Sequence, residues 1–300
     1  MGHPAPQLHR NQSSRLHTIG RDGADPVLVY ETAALLEAPN WTRDGAHLVF
    51  NQDGQLYHVA ASAPDTPALI VTPGVTGFNN DHVLSADGNF IYASADGHIY
   101  RIAIAGGVPV RVSNQHRTDR HFQYFLHGIS SDGASLSYVA VEACGDDPWG
   151  MRRVATLDLE TGQDHFLTDA THVADGPEYS PDDCWIYFNM TARDAADAGH
   201  DLFRVAAAGG TPQQLTFDAR SNWFPHVSPD GQWISYLSYA PGTAGHPANR
   251  DVEIRIIPAS GGPASTLVTL FGGQGTINVN SWSPDGKRLA YVSYPIAAQP

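Results

Sequence analysis

Three hundred residues with 42% hydrophobic content can bury a large core, and that length suggests two domains unless the chain is a closed β-fold or a repeat. The formal charge of -14 argues against a sequence-independent nucleic-acid binder, which gains affinity by neutralising phosphates, but leaves room for an anionic small ligand beside a few arginines. No apolar run reaches the length of a membrane-spanning helix, and the first residues, MGHPAPQLHRNQSSRLH, lack the apolar core of a secretion signal; the expectation is a cytoplasmic chain without a membrane partner, or a periplasmic or secreted one if a leader was trimmed.

Residues 1–14 read as a flexible lead-in. From Arg15, RLHTIGRDGADPVLVYE has the form strand, Asp-Gly turn, strand. EAPNW then opens a repeated unit, with a turn NWTRDG at Asp44 and a following strand HLVFN. The turn returns as VLSADG at Asp87, GISSDG at Asp132, EYSPDD at Asp182, HVSPDG at Asp230 and SWSPDG at Asp285, each followed by an alternating or aromatic run. Proline presets its own dihedral, aspartate bonds the nearby backbone, and glycine accepts a positive φ, so the turn has a local cause.

A second signal lies out of phase with the first. IYRIAIAGGVPVRVS, LFRVAAAGGTPQQLT and EIRIIPASGGPASTLV share a strand, a Gly-Gly turn and a strand, while QLYHVAASAPDTPALIVT and VATLDLETGQDHFLT fit less closely. Four strands per unit, a to d, over roughly forty to fifty residues mark a β-propeller blade. After RLAYVSYP no further hairpin follows, so the N-terminal hairpin is expected to complete the blade begun at Gln274 and leave no open sheet edge. The fold class is therefore all-β: one domain over residues 15–300, with six antiparallel four-stranded blades. Cys144 and Cys184, the only cysteines, are too few for a disulfide framework and read as reduced thiols.

The SPDG turns preceded by an aromatic or small apolar residue, together with the Gly-Gly hairpins, resemble the TolB-like propeller family, also called PD40 or WD40-like repeats. The resemblance covers nearly the whole chain and implies six blades around an axial channel, but no single function. It extends distantly to oligogalacturonate lyase, whose propeller holds a divalent metal near the axis through His and Gln side chains.

Strand a is innermost and runs toward the face with the Asp-Gly turns, so its beginning, the b–c loops and the crossovers lie on the opposite face, the mouth. The residues there are polar in every blade: Glu37 and Asn40; Asn79, Asn80, Asp81 and His82; His127; Asp175 and Glu178; Asn222 and His226; Gln274, Thr276, Asn278 and Asn280. The b–c loops add Trp149, Arg152 and Arg153, then Arg193 and His200, then His246 and Arg250, and the crossovers add Arg117, Arg120 and Arg220. In a chain whose one lysine is Lys287, these guanidinium groups suggest recognition of a planar anion such as a sugar carboxylate. The competing reading is a wet channel lined by polar side chains, with ordinary surface arginines around it.

No nucleophile elbow, zinc-protease helix, phosphate loop or dinucleotide fingerprint is present. Imidazoles mixed with amide and carboxylate oxygens suit Mn²⁺, Zn²⁺, Fe²⁺ or Ni²⁺ better than Ca²⁺. One expectation is thus a metal-assisted carbohydrate-active enzyme, a lyase on an anionic sugar or a glycoside hydrolase. His82, His127, His226 and Gln274 would hold the metal, Glu178, His127 and Asp175 would do the acid–base work, and Asn40, Asn80, Asn222, Asn278, Arg153, Arg220 and His246 would contact a small molecule or oligosaccharide. The other expectations are a non-catalytic module that binds a protein or glycan at the same mouth, and an assembly scaffold if the chain's own loops block that mouth.

Overall fold

The computed structural model describes residues 7–62, 66–191 and 199–297; Arg193 lies outside them. It is a six-bladed β-propeller. The chain opens with the hairpin β1 (Ser14–Gly20) and β2 (Val27–Thr32). Blade one follows as β3 (Leu36–Trp41), β4 (His47–Gln52), β5 (Gln55–Ala60) and β6 (Ala68–Leu69). Blade two comprises β7 (Phe78–Leu84), β8 (Phe90–Ala95), β9 (His98–Ala103) and β10 (Val110–Arg111). Blade three has the longest hairpin, in β11 (Gln123–Ile129), β12 (Ser135–Cys144), β13 (Asp147–Asp158) and β14 (Asp164–Phe166). Blade four is β15 (Ala174–Tyr179), β16 (Trp185–Thr191), β17 (His200–Ala206) and β18 (Gln213–Gln214). Blade five is β19 (Ser221–Val227), β20 (Trp233–Tyr239), β21 (Arg250–Pro258) and β22 (Ser265–Gly272), and β23 (Arg288–Ser293) belongs to blade six.

Each Asp-Gly turn is closed by the same bonds. In blade five the Ser228 hydroxyl donates to Asp230 at 2.5 Å, and the Gln232 amide donates to the same oxygen at 3.0 Å. Alternating apolar residues on the strands then pack blade against blade, so the core is a set of inter-blade layers. Val49, Leu56, Ile91 and Ile102 fill the layer between blades one and two, and Tyr187, Ile234, Tyr236 and Ile257 that between four and five.

The N-terminal hairpin closes the ring as expected: β1 pairs antiparallel with β23 on one side and with β2 on the other. Leu16 and Val29 from the hairpin are wholly buried with Leu48, Phe50 and Val292. Contacts begin ahead of β1, since Gln12 bridges Ile296 and donates its side-chain amide to the Tyr294 carbonyl at 2.8 Å.

Blade six departs from the expected four strands. Its sheet is β2-β1-β23, and the inner position is taken by the irregular stretch 273–281 rather than by a strand. Local side-chain bonds displace the ladder there. The Gly273 amide donates to Thr276 Oγ1 at 3.0 Å, the Gly275 amide to Asn278 Oδ1 at 2.7 Å, and the Trp282 amide to Asn280 Oδ1 at 3.0 Å. Gly275 has a φ of 91°, and a Cβ in its place would collide with the Tyr294 hydroxyl, so the path requires glycine.

If β1 is the clasp of the ring, deleting residues through Tyr30 should abolish the cooperative thermal transition followed by circular dichroism. An unchanged melt of the truncated chain would refute the clasp.

Candidate functional site

The inner strands of blades one, four and five share a local device that period-two reading does not reveal. In each, a residue before proline adopts a left-handed backbone: Ala38 with φ 53°, Gly176 with φ 64° and Phe224 with φ 55°. Each coincides with a register shift against the next strand, between Glu37 and Asn40, Asp175 and Glu178, and Trp223 and His226. Such bulges re-aim side chains, and a positive φ at a phenylalanine marks real strain held by its surroundings.

What the bulges serve is the stretch 273–281 of blade six, which crosses the axis. Its carbonyls accept from three other blades: Gly275 from the Ala38 amide at 2.8 Å, Asn280 from Asn40 Nδ2 at 2.7 Å, Ile277 from His226 Nε2 at 2.6 Å, and Asn278 from His127 Nδ1 at 3.1 Å. Glu178 joins from blade four, where one oxygen accepts from the Val227 amide at 2.8 Å and Asn280 Nδ2 at 2.6 Å, and the other faces His226 Nδ1 at 2.7 Å. Glu178, His226 and the Asn40 Nδ2 are thus committed to holding this axial segment, while Asn40 Oδ1 is buried without a partner.

Toward the mouth lies a second cluster. His127 Nε2 is 3.3 Å from Asp175 Oδ1 and 3.9 Å from Asp81 Oδ1. Both nitrogens of His127 therefore face oxygen acceptors; burial opposes its protonation, but Asp81 and Asp175 outweigh that and raise its pKa. Burial also acts against the charge of Asp175, yet the bond from His127 and the nearby His246 and Arg152 bring its carboxyl well below the usual range. Asp81 goes the other way, raised to about 6 by burial and by Asp175.

His246 Nδ1 bonds Gln274 Oε1, which also accepts from Asn278 Nδ2 at 3.1 Å. Since the amide oxygen can only accept, Nδ1 carries the proton. The other nitrogen, Nε2, is then a lone-pair acceptor that faces Asp175 Oδ2 across 3.7 Å. Burial lowers the pKa of His246 and so favours this neutral form. His200 packs at a tilt against Trp223 with ring centres 3.8 Å apart; its Nε2 is buried without a partner, and burial pushes its pKa down to about 3.

Arg152, the neighbour of the expected Arg153, acts electrostatically on Asp175, His200 and His246 while its Nε donates to the Trp149 carbonyl at 3.3 Å. Among the described residues no carboxylate lies within ion-pair distance of its guanidinium. Trp149 packs on Phe125 with ring centres 5.1 Å apart, and both remain partly exposed. Adjacent residues on a strand point to opposite faces, so Arg153 turns to Glu142 and stacks over Phe166 at 4.0 Å, in the outer half of blade three.

The remaining expected contacts are internal to the fold. Arg220 bonds Ser238 at 2.8 Å and Glu253 at 3.2 Å; Asn222 bonds Asp218 at 3.1 Å and Ser238 at 2.7 Å; Asn80 donates to Glu37 at 3.1 Å. His82 is wholly buried and neither ring nitrogen has a full hydrogen bond. The expected metal set does not fit a coordination shell. Both nitrogens of His127 and of His226 point at oxygens, Gln274 Oε1 already accepts from two partners, and no group of three or more His, Cys, Asp or Glu able to hold a metal occurs among the described residues.

No protein-family model matches the chain. The uncharacterised protein Atu1656 of Agrobacterium fabrum is 36% identical over 273 residues, 89% of this chain and 87% of that protein. A solved structure of a candidate TolB from Agrobacterium tumefaciens superposes with a TM-score of 0.85 at 33% identity, covering 95% of this chain and 99% of that one. An oligogalacturonate lyase in complex with manganese has a TM-score of 0.57 at 16% identity, over 89% of this chain and 75% of that one, which shows a shared fold.

Two measurements test this geometry. Glu178→Ala strands the His226 ring and removes the acceptor of Asn280, and should cost about 3–5 kcal/mol in urea unfolding; a loss under about 1 kcal/mol would mean the axial segment does not depend on it. Burial raises the Glu37 carboxyl to about 7, so above its ordinary 4.5 the folded protein keeps a proton that the unfolded chain releases. Its contribution is complete below about pH 4.5 and fades as the pH rises to 7, whereas buried His82, lowered to about 4, acts in the opposite sense between 4 and 6.5. Glu37→Gln stays neutral throughout, so its stability advantage over the wild type should grow from near zero at pH 4.5 to about 3 kcal/mol at pH 7. A margin independent of pH would contradict the buried, protonated carboxyl.

Proposed function

Because the chain belongs to the TolB-like family of six-bladed propellers, we propose that it is a ligand-binding propeller whose mouth takes a small, hydroxyl-rich anionic saccharide. One observation carries this reading: His246 Nε2 and Asp175 Oδ2 are both acceptors, and they face each other across 3.7 Å with no donor from the described residues between them. A ligand hydroxyl placed there donates to either, while His127 holds the other oxygen of Asp175 and keeps the carboxylate ionised. The Phe125–Trp149 pair supplies an apolar face beside the site, and Arg152, lacking a carboxylate partner among the described residues, supplies the positive charge for an acidic sugar.

A catalytic reading, as a lyase on a uronate or a glycoside hydrolase, has one observation in its favour. Asp175 and Asp81 share the His127 ring but are driven apart in proton affinity, the former depressed and the latter raised to about 6. In a β-elimination, the His246–Asp175 pair would take the proton from the carbon bearing the carboxylate. The electrons of that C–H bond would form the new double bond, the bond to the glycosidic oxygen would break, and Asp81 would protonate that oxygen. Arg152 would stabilise the enolate-like charge meanwhile. No step is routed through a metal: of the residues expected to bind one, His127, His226 and Gln274 already have protein partners, and His82 is wholly buried.

Calorimetric titration with di- and trigalacturonate should give saturable binding that the neutral galactose oligomers do not match. Arg152→Ala should weaken it about tenfold or more, and His246→Ala should weaken anionic and neutral oligomers alike. Absence of binding to every oligomer would overturn the reading. Ultraviolet absorbance of an unsaturated uronate product, lost in Asp81→Asn, would establish the lyase; no absorbance from the wild type would leave a binding module.

A further inference from the structure

The axis is closed below the mouth. Thr276, Ile277, Asn278 and Val279 of the axial segment are at most 1% exposed, and the segment is bonded to the inner strands of blades one, three, four and five. Around the axis the inner-strand side chains of Asn40, His82, His127, Glu178 and His226 are no more than 6% exposed. A hydrated bore would leave such polar groups in contact with water, so among the described residues no open passage runs through the ring. Above this closure exposure rises by steps: 4% for the His127 side chain, 13% for Asp175 and 24% for His246, with Gln274, Arg152, Phe125 and Trp149 partly exposed. The wall that carries His246 is pinned. The Pro247 carbonyl accepts from the Tyr239 hydroxyl at 3.1 Å and the Gln274 amide at 3.4 Å, and Gln12 Nε2 donates to Asn249 Oδ1 at 2.6 Å.

We infer that the mouth is a blind pocket that takes a saccharide by its end, with the terminal sugar on the recessed acceptor pair and the next one against the Phe125–Trp149 face. This rests on the saccharide reading of the mouth and adds which part of the saccharide is bound. Asp175 Oδ2 and His246 Nε2 both need donors, and both lie near the floor. A terminal sugar presents a hydroxyl that an internal one has given up to its glycosidic bond, and it enters with one neighbour to accommodate. An internal sugar is linked on both sides; to bring its hydroxyls to the floor, both neighbours must fold upward, and the closed axis gives a chain no way through. At a recessed, ionised carboxylate a missing donor is costly, so the terminal hydroxyl should weigh heavily in the affinity. That hydroxyl belongs to either the reducing or the non-reducing end, and the same chemistry serves for both.

The test is calorimetric titration of the full chain with galacturonate, its dimer and its trimer, and with two modified trimers. One is reduced to the alditol at its reducing end; the other carries a 4,5-unsaturated non-reducing end, which lacks the 4-hydroxyl. Affinity should rise from monomer to dimer and then change less than about twofold, and one modified trimer should bind about tenfold more weakly than the parent, which identifies the end. Polygalacturonate should saturate in proportion to its chain ends rather than its mass. Trp149→Ala should weaken the dimer about fivefold or more and leave the monomer within about twofold, a split that a folding defect would not produce. The inference fails, with the saccharide reading intact, if both modified trimers bind as tightly as the parent, if polygalacturonate binds along its internal stretches, or if folded Trp149→Ala loses monomer and dimer alike. Absence of binding to every oligomer overturns the reading and the inference together.

Discussion

The structure depends on how one polypeptide stretch is kept inside the axis of the ring. Residues 273–281 bring backbone carbonyls into a place with little water, and every such group needs a partner there. The partners come from other blades: the Ala38 amide, Asn40, His127 and His226. Because these donors sit on separate inner strands, the segment ties four blades together as well as filling the space between them. Ile277 and Val279, both wholly buried, fix its other side.

That arrangement sorts the polar residues of the channel into two groups. Those deepest along the axis, such as Glu178 and His226, have all their hydrogen-bonding capacity taken by the fold. Those nearer the mouth retain unmet capacity, as in the two acceptors of His246 and Asp175 and the buried nitrogen of His200. Composition alone treats both groups alike, since His, Asn and carboxylates supply each. For His127, His226 and His246 the distinction between a structural and a ligand-facing role is whether both ring nitrogens already have partners, and the partners of His226 and His127 include residues some 50 to 150 positions away.

Strain follows the same division. The left-handed backbone at Ala38 and Phe224 is unfavourable locally, and each is held by long-range bonds, the Ala38 amide to Gly275 and the Phe224 amide to Asn189 Oδ1 at 2.9 Å. Phe224 in turn stacks on His127 with ring centres 5.9 Å apart and meets His246 edge-on at 5.1 Å, so the strained residue helps to orient both imidazoles of the mouth.

The sequence by itself determined the ring. Ser-x-Asp-Gly turns, Gly-Gly hairpins and alternating strands are local, each is stabilised by atoms a few residues apart, and their recurrence fixes the number of blades and the clasp by β1. It also indicated the face on which polar residues gather, and it brought Asp175, His127, His246 and Gln274 into one group. It could not reveal that 273–281 is no strand, because Thr276 and Asn278 alternate with Ile277 and Val279 just as a strand would; only the competing side-chain bonds and the demands of distant donors decide against it. Nor could it choose Arg152 over Arg153, which are equivalent in type and differ only in the strand face they occupy. The tertiary structure made those decisions, since hydrogen-bond satisfaction in a buried channel is a property of groups that meet only when the ring closes.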